Sequence, residues 1–114
     1  MQTIWKYKIE PDFINQVYRM PKGAIVLSVG ADAHNNLCFW AKVDTTAEYE
    51  DHLMACVGTG WEMDHIFNSR DRYACFVGTI KRGEYIYHII DLGGDPDTKK
   101  IELHPSAPNS EVGA

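Results

Sequence analysis

The sequence is poor in the features that stabilise or target a protein by means other than a core. Its 114 residues contain only three cysteines, Cys38, Cys56 and Cys75, an odd number with no two closer than 18 positions. That spacing excludes a disulfide framework and a CxxC metal knuckle, and each thiol sits in an apolar run where it reads as a small buried hydrophobe. No stretch approaches the roughly 20 apolar residues of a membrane span, and the polar, aromatic start Met1-Gln2-Thr3-Ile4-Trp5-Lys6 lacks the apolar core of a secretion signal, so a cytoplasmic protein is expected. Basic residues are also in deficit, 11 against 16 acidic, for a formal charge of -5. This is the wrong sign for general attraction to a phosphate backbone, and direct binding of double-stranded nucleic acid is not expected. Motifs of the common enzymes are missing too: there is no GxSxG, no GxxxxGK[ST] and no GxGxxG.

What is present is a composition of 45% apolar and 24% charged residues, ordinary for a globular domain. A chain of this length buries roughly two-thirds of its unfolded surface, so no metal or cofactor is needed for stability and none is expected. The dominant periodicity is two. Short runs rich in Val, Ile, Tyr, Phe and Trp alternate between faces and are separated by Gly, Asn, Asp and Pro. Strands are expected over Ile4–Ile9, the second half of Phe13–Met20, Ala24–Val29, Leu37–Asp44, His52–Gly58, Tyr73–Ile80 and Glu84–Asp91. Pro21-Lys22-Gly23 has the chemistry of a tight turn, with Pro at the first central position, and predicts a hairpin between the second and third strands. Leu37–Asp44 is apolar on both faces, as a central strand is. Lys81-Arg82-Gly83 supplies the glycine that a short hairpin link requires.

These elements predict an all-β chain (or a β-rich α+β one): a small antiparallel β-sandwich or open barrel of six to seven strands. The β-rich domain covers residues 1–91. Residues 92–114 form an extension in which Ile101 and Leu103 can dock as one last edge strand before a flexible tail.

Candidate chemistry is sparse. His52 and Cys56 share a strand face but stand ~13 Å apart, too far for one zinc ion. His88, between Ile86 and Ile90, reads as a hydrogen-bonded core histidine. The stronger signal is for recognition. Trp61, His65, Phe67, Arg70 and Arg72 gather in the longest loop, and Tyr85 and Tyr87 alternate on a late strand. Aromatic and Arg side chains anchor interfaces because each joins a large buried area to an orientable polar group. The same residues suit a stacked nucleobase and its phosphate, so a small nucleotide ligand remains open beside a protein partner.

Trp5-Lys6-Tyr7 with Ile9, Met20-Pro21-Lys22-Gly23-Ala24, Leu27-Ser28-Val29, Trp40-Ala41 with Val43-Asp44, Gly58-Thr59-Gly60 and Gly78-Thr79 resemble a family of small bacteriophage and prophage proteins, a domain of unknown function. The resemblance runs from Ile4 to Asp91. It is most specific at the Met-Pro-Lys-Gly-Ala turn and Leu-Ser-Val strand, and it lapses at Trp61-Glu62-Met63-Asp64 and after Asp91. It implies a viral protein acting in the host bacterial cytoplasm and supplies no catalytic residues. From it follows the expectation of a non-enzymatic accessory protein, a counter-defence inhibitor that occludes a bacterial immune protein and forms a homo-oligomer that covers a sheet edge. The alternatives are a sponge for a nucleotide immune signal, a small nucleotide hydrolase using His65 with Tyr73, or a structural virion protein.

Overall fold

In the computed structural model, which describes residues 1–11, 14–63, 74–95 and 111–112, the alternating runs become eight strands in two four-stranded sheets. They are β1 (Gln2–Lys8), β2 (Asn15–Pro21), β3 (Ile25–Ala31), β4 (Leu37–Asp44), β5 (Tyr49–Gly58), β6 (Cys75–Arg82), β7 (Tyr85–Asp95) and the two-residue β8 (Glu111–Val112). One sheet has the order β3-β4-β1-β8 and the other β2-β5-β7-β6, and every pairing is antiparallel. This is a small β-sandwich, not a closed barrel. There is no helix among the described residues, and so none long and apolar enough to cross a membrane.

The core forms where the alternation predicts. Tyr7, Phe39, Ala41 and Val43 from one sheet meet Tyr18, Met20, Met54, Cys56, Tyr87 and Ile89 from the other, all 8% exposed or less. Phe39 stacks on Tyr7 with centroids 5.1 Å apart and meets the edge of Tyr18 at 5.0 Å, so three rings join the sheets. The Tyr18 hydroxyl donates onward to the Lys8 carbonyl at 2.7 Å, a polar tie between β2 and the end of β1. β4 is central, between β3 and β1, as its two apolar faces indicated.

A turn forms here, but Pro21 is its first residue, still paired in β2, rather than its first central one, and the turn does not make a hairpin. The Ala24 N–H donates to the Pro21 carbonyl at 3.1 Å, which puts Lys22 and Gly23 in the central positions, with Gly23 at φ 84°. A residue with a Cβ resists that angle. The turn carries the chain from one sheet to the other: β2 pairs with β5, Pro21 opposite Tyr49, and β3 pairs with β4. Local turn chemistry is the same whether the next strand pairs or crosses, so the sequence could not separate the two. A hairpin does join β6 to β7, but its turn is Gly83-Glu84, with Gly83 at φ 62°; Lys81 and Arg82 are drawn into β6 by pairing with Ile86 and Tyr85.

Four further expectations change. β5 begins at Tyr49, drawing Glu50 and Asp51 out of what reads as a charged turn; Asp51 is buried and faces Arg19 across the strands, 3.4 Å away. β7 runs on to Asp95, past the expected boundary at Asp91, through an irregularity opposite Leu53 and Met54. Glu111 and Val112, in the expected flexible tail, pair with Lys6 and Trp5 of β1, whereas Ile101 and Leu103 lie outside the described residues. Of the thiols, Cys38 and Cys56 are buried and burial lifts the Cys56 thiol to about 11, but Cys75 is exposed because its strand is a sheet edge.

Truncating Phe39 to Ala removes the ring shared by Tyr7 and Tyr18 and is expected to cost about 3–5 kcal/mol in urea unfolding. Ile4→Ala, at a side chain 48% exposed on the outer face, should cost no more than about 1 kcal/mol in the same measurement.

Candidate functional site

The end of the sandwich beyond Gly58 and Arg82 gathers three of the candidate residues, Trp61, Tyr85 and Tyr87. Gly58-Thr59-Gly60-Trp61 is a tight turn in which the Trp61 N–H donates to the Gly58 carbonyl at 3.1 Å, with Gly60 at φ 89°. The turn folds the indole back over Gly58. A Cβ built on Gly58 would stand 2.5–2.9 Å from three atoms of the Trp61 ring, so the seat of the indole exists only because residue 58 has no side chain.

Gly58 is the cross-strand partner of Tyr87, and the indole meets the Tyr87 ring edge-on, centroids 6.0 Å apart at 80°. Tyr85, two residues along the same strand face, stacks on Tyr87 at 6.2 Å and 29°. Exposure grades outward from Tyr87 at 8% through Trp61 at 40% to Tyr85 at 64%. Tyr87 is thus a core residue that supports two exposed rings. The structure brings together Trp61, Tyr85 and Tyr87; His65, Phe67, Arg70 and Arg72 lie outside the described residues.

One residue at this end was not singled out by the sequence reading. Arg82 stands opposite Tyr85 across the β6–β7 turn and donates to the Asn35 carbonyl of the β3–β4 loop, tying the two sheets together. The signal was the hairpin itself, since a two-residue turn after Arg82 sets it beside Tyr85. The loop that Arg82 grips is organised by Asp32. One carboxylate oxygen accepts from the His34 and Asn36 N–H groups at 2.9 and 2.8 Å, and the other from Lys6 Nζ at 2.9 Å. The Asn36 N–H and the Lys6 ammonium hold the Asp32 carboxyl well below the usual carboxylate range.

His88 departs from its expected place. Its neighbours Tyr87 and Ile89 point into the core, so His88 lies on the outer face, half-buried, with Nε2 2.7 Å from the Thr59 hydroxyl and Nδ1 2.9 Å from the Thr79 hydroxyl. It is hydrogen-bonded as expected, but to two hydroxyls across neighbouring strands, and it fastens the Trp61 turn to β7. Among the described residues no cluster of His, Cys, Asp and Glu could hold a metal ion. What this end presents is two exposed rings on a buried third, with a guanidinium at the rim.

Gly58→Ala is expected to unseat Trp61 while the sheets stay paired. Its fluorescence and near-ultraviolet circular dichroism should change, with the far-ultraviolet spectrum preserved. Asp32→Asn should lower stability at neutral pH. Because the folded carboxyl titrates below its unfolded value near 3.9, the contribution of Asp32 is present above about pH 4 and is lost as pH falls toward the folded value. The variant should accordingly show a shallower acid limb below pH 4 in urea titrations.

No curated protein and no solved structure matches this chain. The model of a domain of unknown function, DUF7352, matches residues 1–99. With that match spanning most of its length, the chain belongs to the DUF7352 family.

Proposed function

We propose that this protein is a non-enzymatic binding protein whose aromatic end occludes a partner protein, and that the partner is a bacterial immune protein countered by a phage accessory factor. The observation that carries the binding reading is the graded aromatic platform. Tyr87, locked in the core, presents Trp61 and Tyr85 to solvent in fixed positions, and rigid exposed rings lose little conformational entropy on binding. The viral setting rests on the resemblance of the Met-Pro-Lys-Gly-Ala turn and Leu-Ser-Val strand to phage and prophage proteins.

The geometry favours a protein over a nucleotide. A base inserted between two rings needs them parallel and about 7 Å apart, two contacts of about 3.5 Å. Here Trp61 is edge-on to Tyr87, and Tyr85 and Tyr87 already rest on each other, so neither pair offers a slot. A protein surface needs no slot.

The test is native mass spectrometry of the tagged protein isolated from bacteria with active immune systems, followed by denaturation and small-molecule analysis. A stoichiometric host protein is expected, with its occupancy falling at least tenfold in Trp61→Ala and Tyr85→Ala while both variants keep the wild-type fold. A nucleotide released intact would replace this reading with that of a sponge. A host protein retained equally by both variants would move the interface elsewhere.

A further inference from the structure

A second feature lies about 20 Å down β6 from the aromatic end, counting roughly 3.3 Å per strand residue. There the edge strands of the two sheets, β3 and β6, border a groove of about 210 Å³ lined by Ala24–Leu27, Cys75–Val77 and Asp91. Its apolar walls are exposed, Ile25 by 54%, Leu27 by 48% and Phe76 by 61%. Both edges are irregular here, with register shifts between Val26 and Ser28 and between Phe76 and Gly78. Such bulges re-aim side chains at sheet margins.

The polar member of the lining is Asp91, whose side chain is 8% exposed. Its Oδ1 takes both of its hydrogen bonds, from His52 Nε2 at 2.6 Å and from the Gly93 N–H at 2.9 Å. The second oxygen has no hydrogen bond among the described residues, on a carboxylate that lines an apolar groove. That oxygen is not sealed from solvent but opens onto the groove, where a charged donor meets a carboxylate best.

We infer that this groove takes a lysine side chain from an extended segment of a partner polypeptide, its ammonium on Asp91 and its stem along Leu27 and Phe76. Three observations select that occupant. The volume is below the several hundred Å³ of a typical small-molecule pocket, so it suits a side chain and not a nucleotide. Arginine binds best to two carboxylate oxygens, and one oxygen of Asp91 is already spent on His52 and Gly93; the compact ammonium of lysine needs only one. The walls belong to edge strands whose outward backbone groups can pair with an extended chain, and the net charge of -5 favours a basic one. This site is separate from the aromatic platform and does not depend on the reading given to it.

The probe is the peptide acetyl-Thr-Val-Lys-Val-Thr-amide, titrated into isotopically labelled full-length protein and followed by NMR, with a norleucine-for-lysine peptide as its uncharged counterpart. The lysine peptide is expected to shift the Ile25, Leu27 and Val77 signals and to bind at least tenfold more tightly than the norleucine peptide. Asp91→Asn keeps an acceptor for His52 and Gly93 and should erase that difference. Leu27→Lys, at an exposed edge position that cannot disturb the core, should block the groove with its own ammonium and abolish binding, which preserves the test if Asp91→Asn fails to fold. Trp61→Ala should bind like wild type. Equal affinity for the two peptides, an unaltered lysine preference in Asp91→Asn, or no shift at millimolar peptide would overturn the inference. So would a dimer of this chain, seen by sedimentation, that covers the groove and that the lysine peptide does not displace.

Discussion

Phe39 is where the two sheets are joined. Its ring lies flat on Tyr7 within its own sheet and receives Tyr18 from the other, and all three are at least 96% buried. The contact fixes the lateral position of one sheet over the other, and with it which strand ends come together. Gly58, Arg82 and the β3–β4 loop meet at one end because of it, and Asp91 comes under the β3 edge toward the other. The Tyr7 hydroxyl has no hydrogen-bond partner among the described residues and burial raises its pKa, a cost the aromatic packing offsets. The polar tie from Tyr18 to the Lys8 carbonyl then anchors the rim of the sandwich to this centre.

The molecule divides its polar chemistry between its ends. At the aromatic end, Asp32 and Arg82 immobilise loops, so the rings they flank are presented on a stiff frame. In the opposite half, His52 and Asp91 form a buried pair on the inner face, with His52 Nδ1 unpartnered among the described residues. A buried polar pair of this kind is weak evidence for stability, because taking its groups out of water offsets much of what their hydrogen bond returns. Its placement under two apolar edge strands is instead what gives the groove one fixed acceptor. Edge-strand residues as exposed as Ile25, Leu27 and Phe76 are a liability for a free sheet and an asset for a sheet that binds.

Much of the fold was legible because strand periodicity is local. Leu37–Asp44 reads as a central strand from its two apolar faces, and it is one. The hairpin after Arg82 follows from its glycine. The turn at Pro21 shows the limit: the same residues serve a hairpin or a crossover, and the choice is made by β5, nearly thirty residues away, which claims β2 by pairing. Cys75 shows it again. Its neighbours are as apolar as those of Cys38 and Cys56, yet it is exposed, because whether a strand lies at an edge is a property of the sheet and not of the run. His88 was placed in the core by its isoleucine neighbours, and its actual face was set by Tyr87 and Ile89, which have more apolar surface to bury.

Of the candidate site, Trp61, Tyr85 and Tyr87 were visible as residue types, and their meeting was not. Alternation put Tyr85 and Tyr87 on one face from the sequence alone, since side chains on a strand repeat every two residues. That Trp61 folds onto Tyr87 required the Gly58 register, and that Asp91 faces a groove required β3 and β6 to be, among the described residues, edge strands of two different sheets. The sequence by itself determined the strands and most of their turns, because those depend on neighbours in the chain. Tertiary structure decided sheet partnership, edges and the two candidate surfaces, because hydrogen-bond ladders and face-to-face packing join residues that the chain keeps far apart.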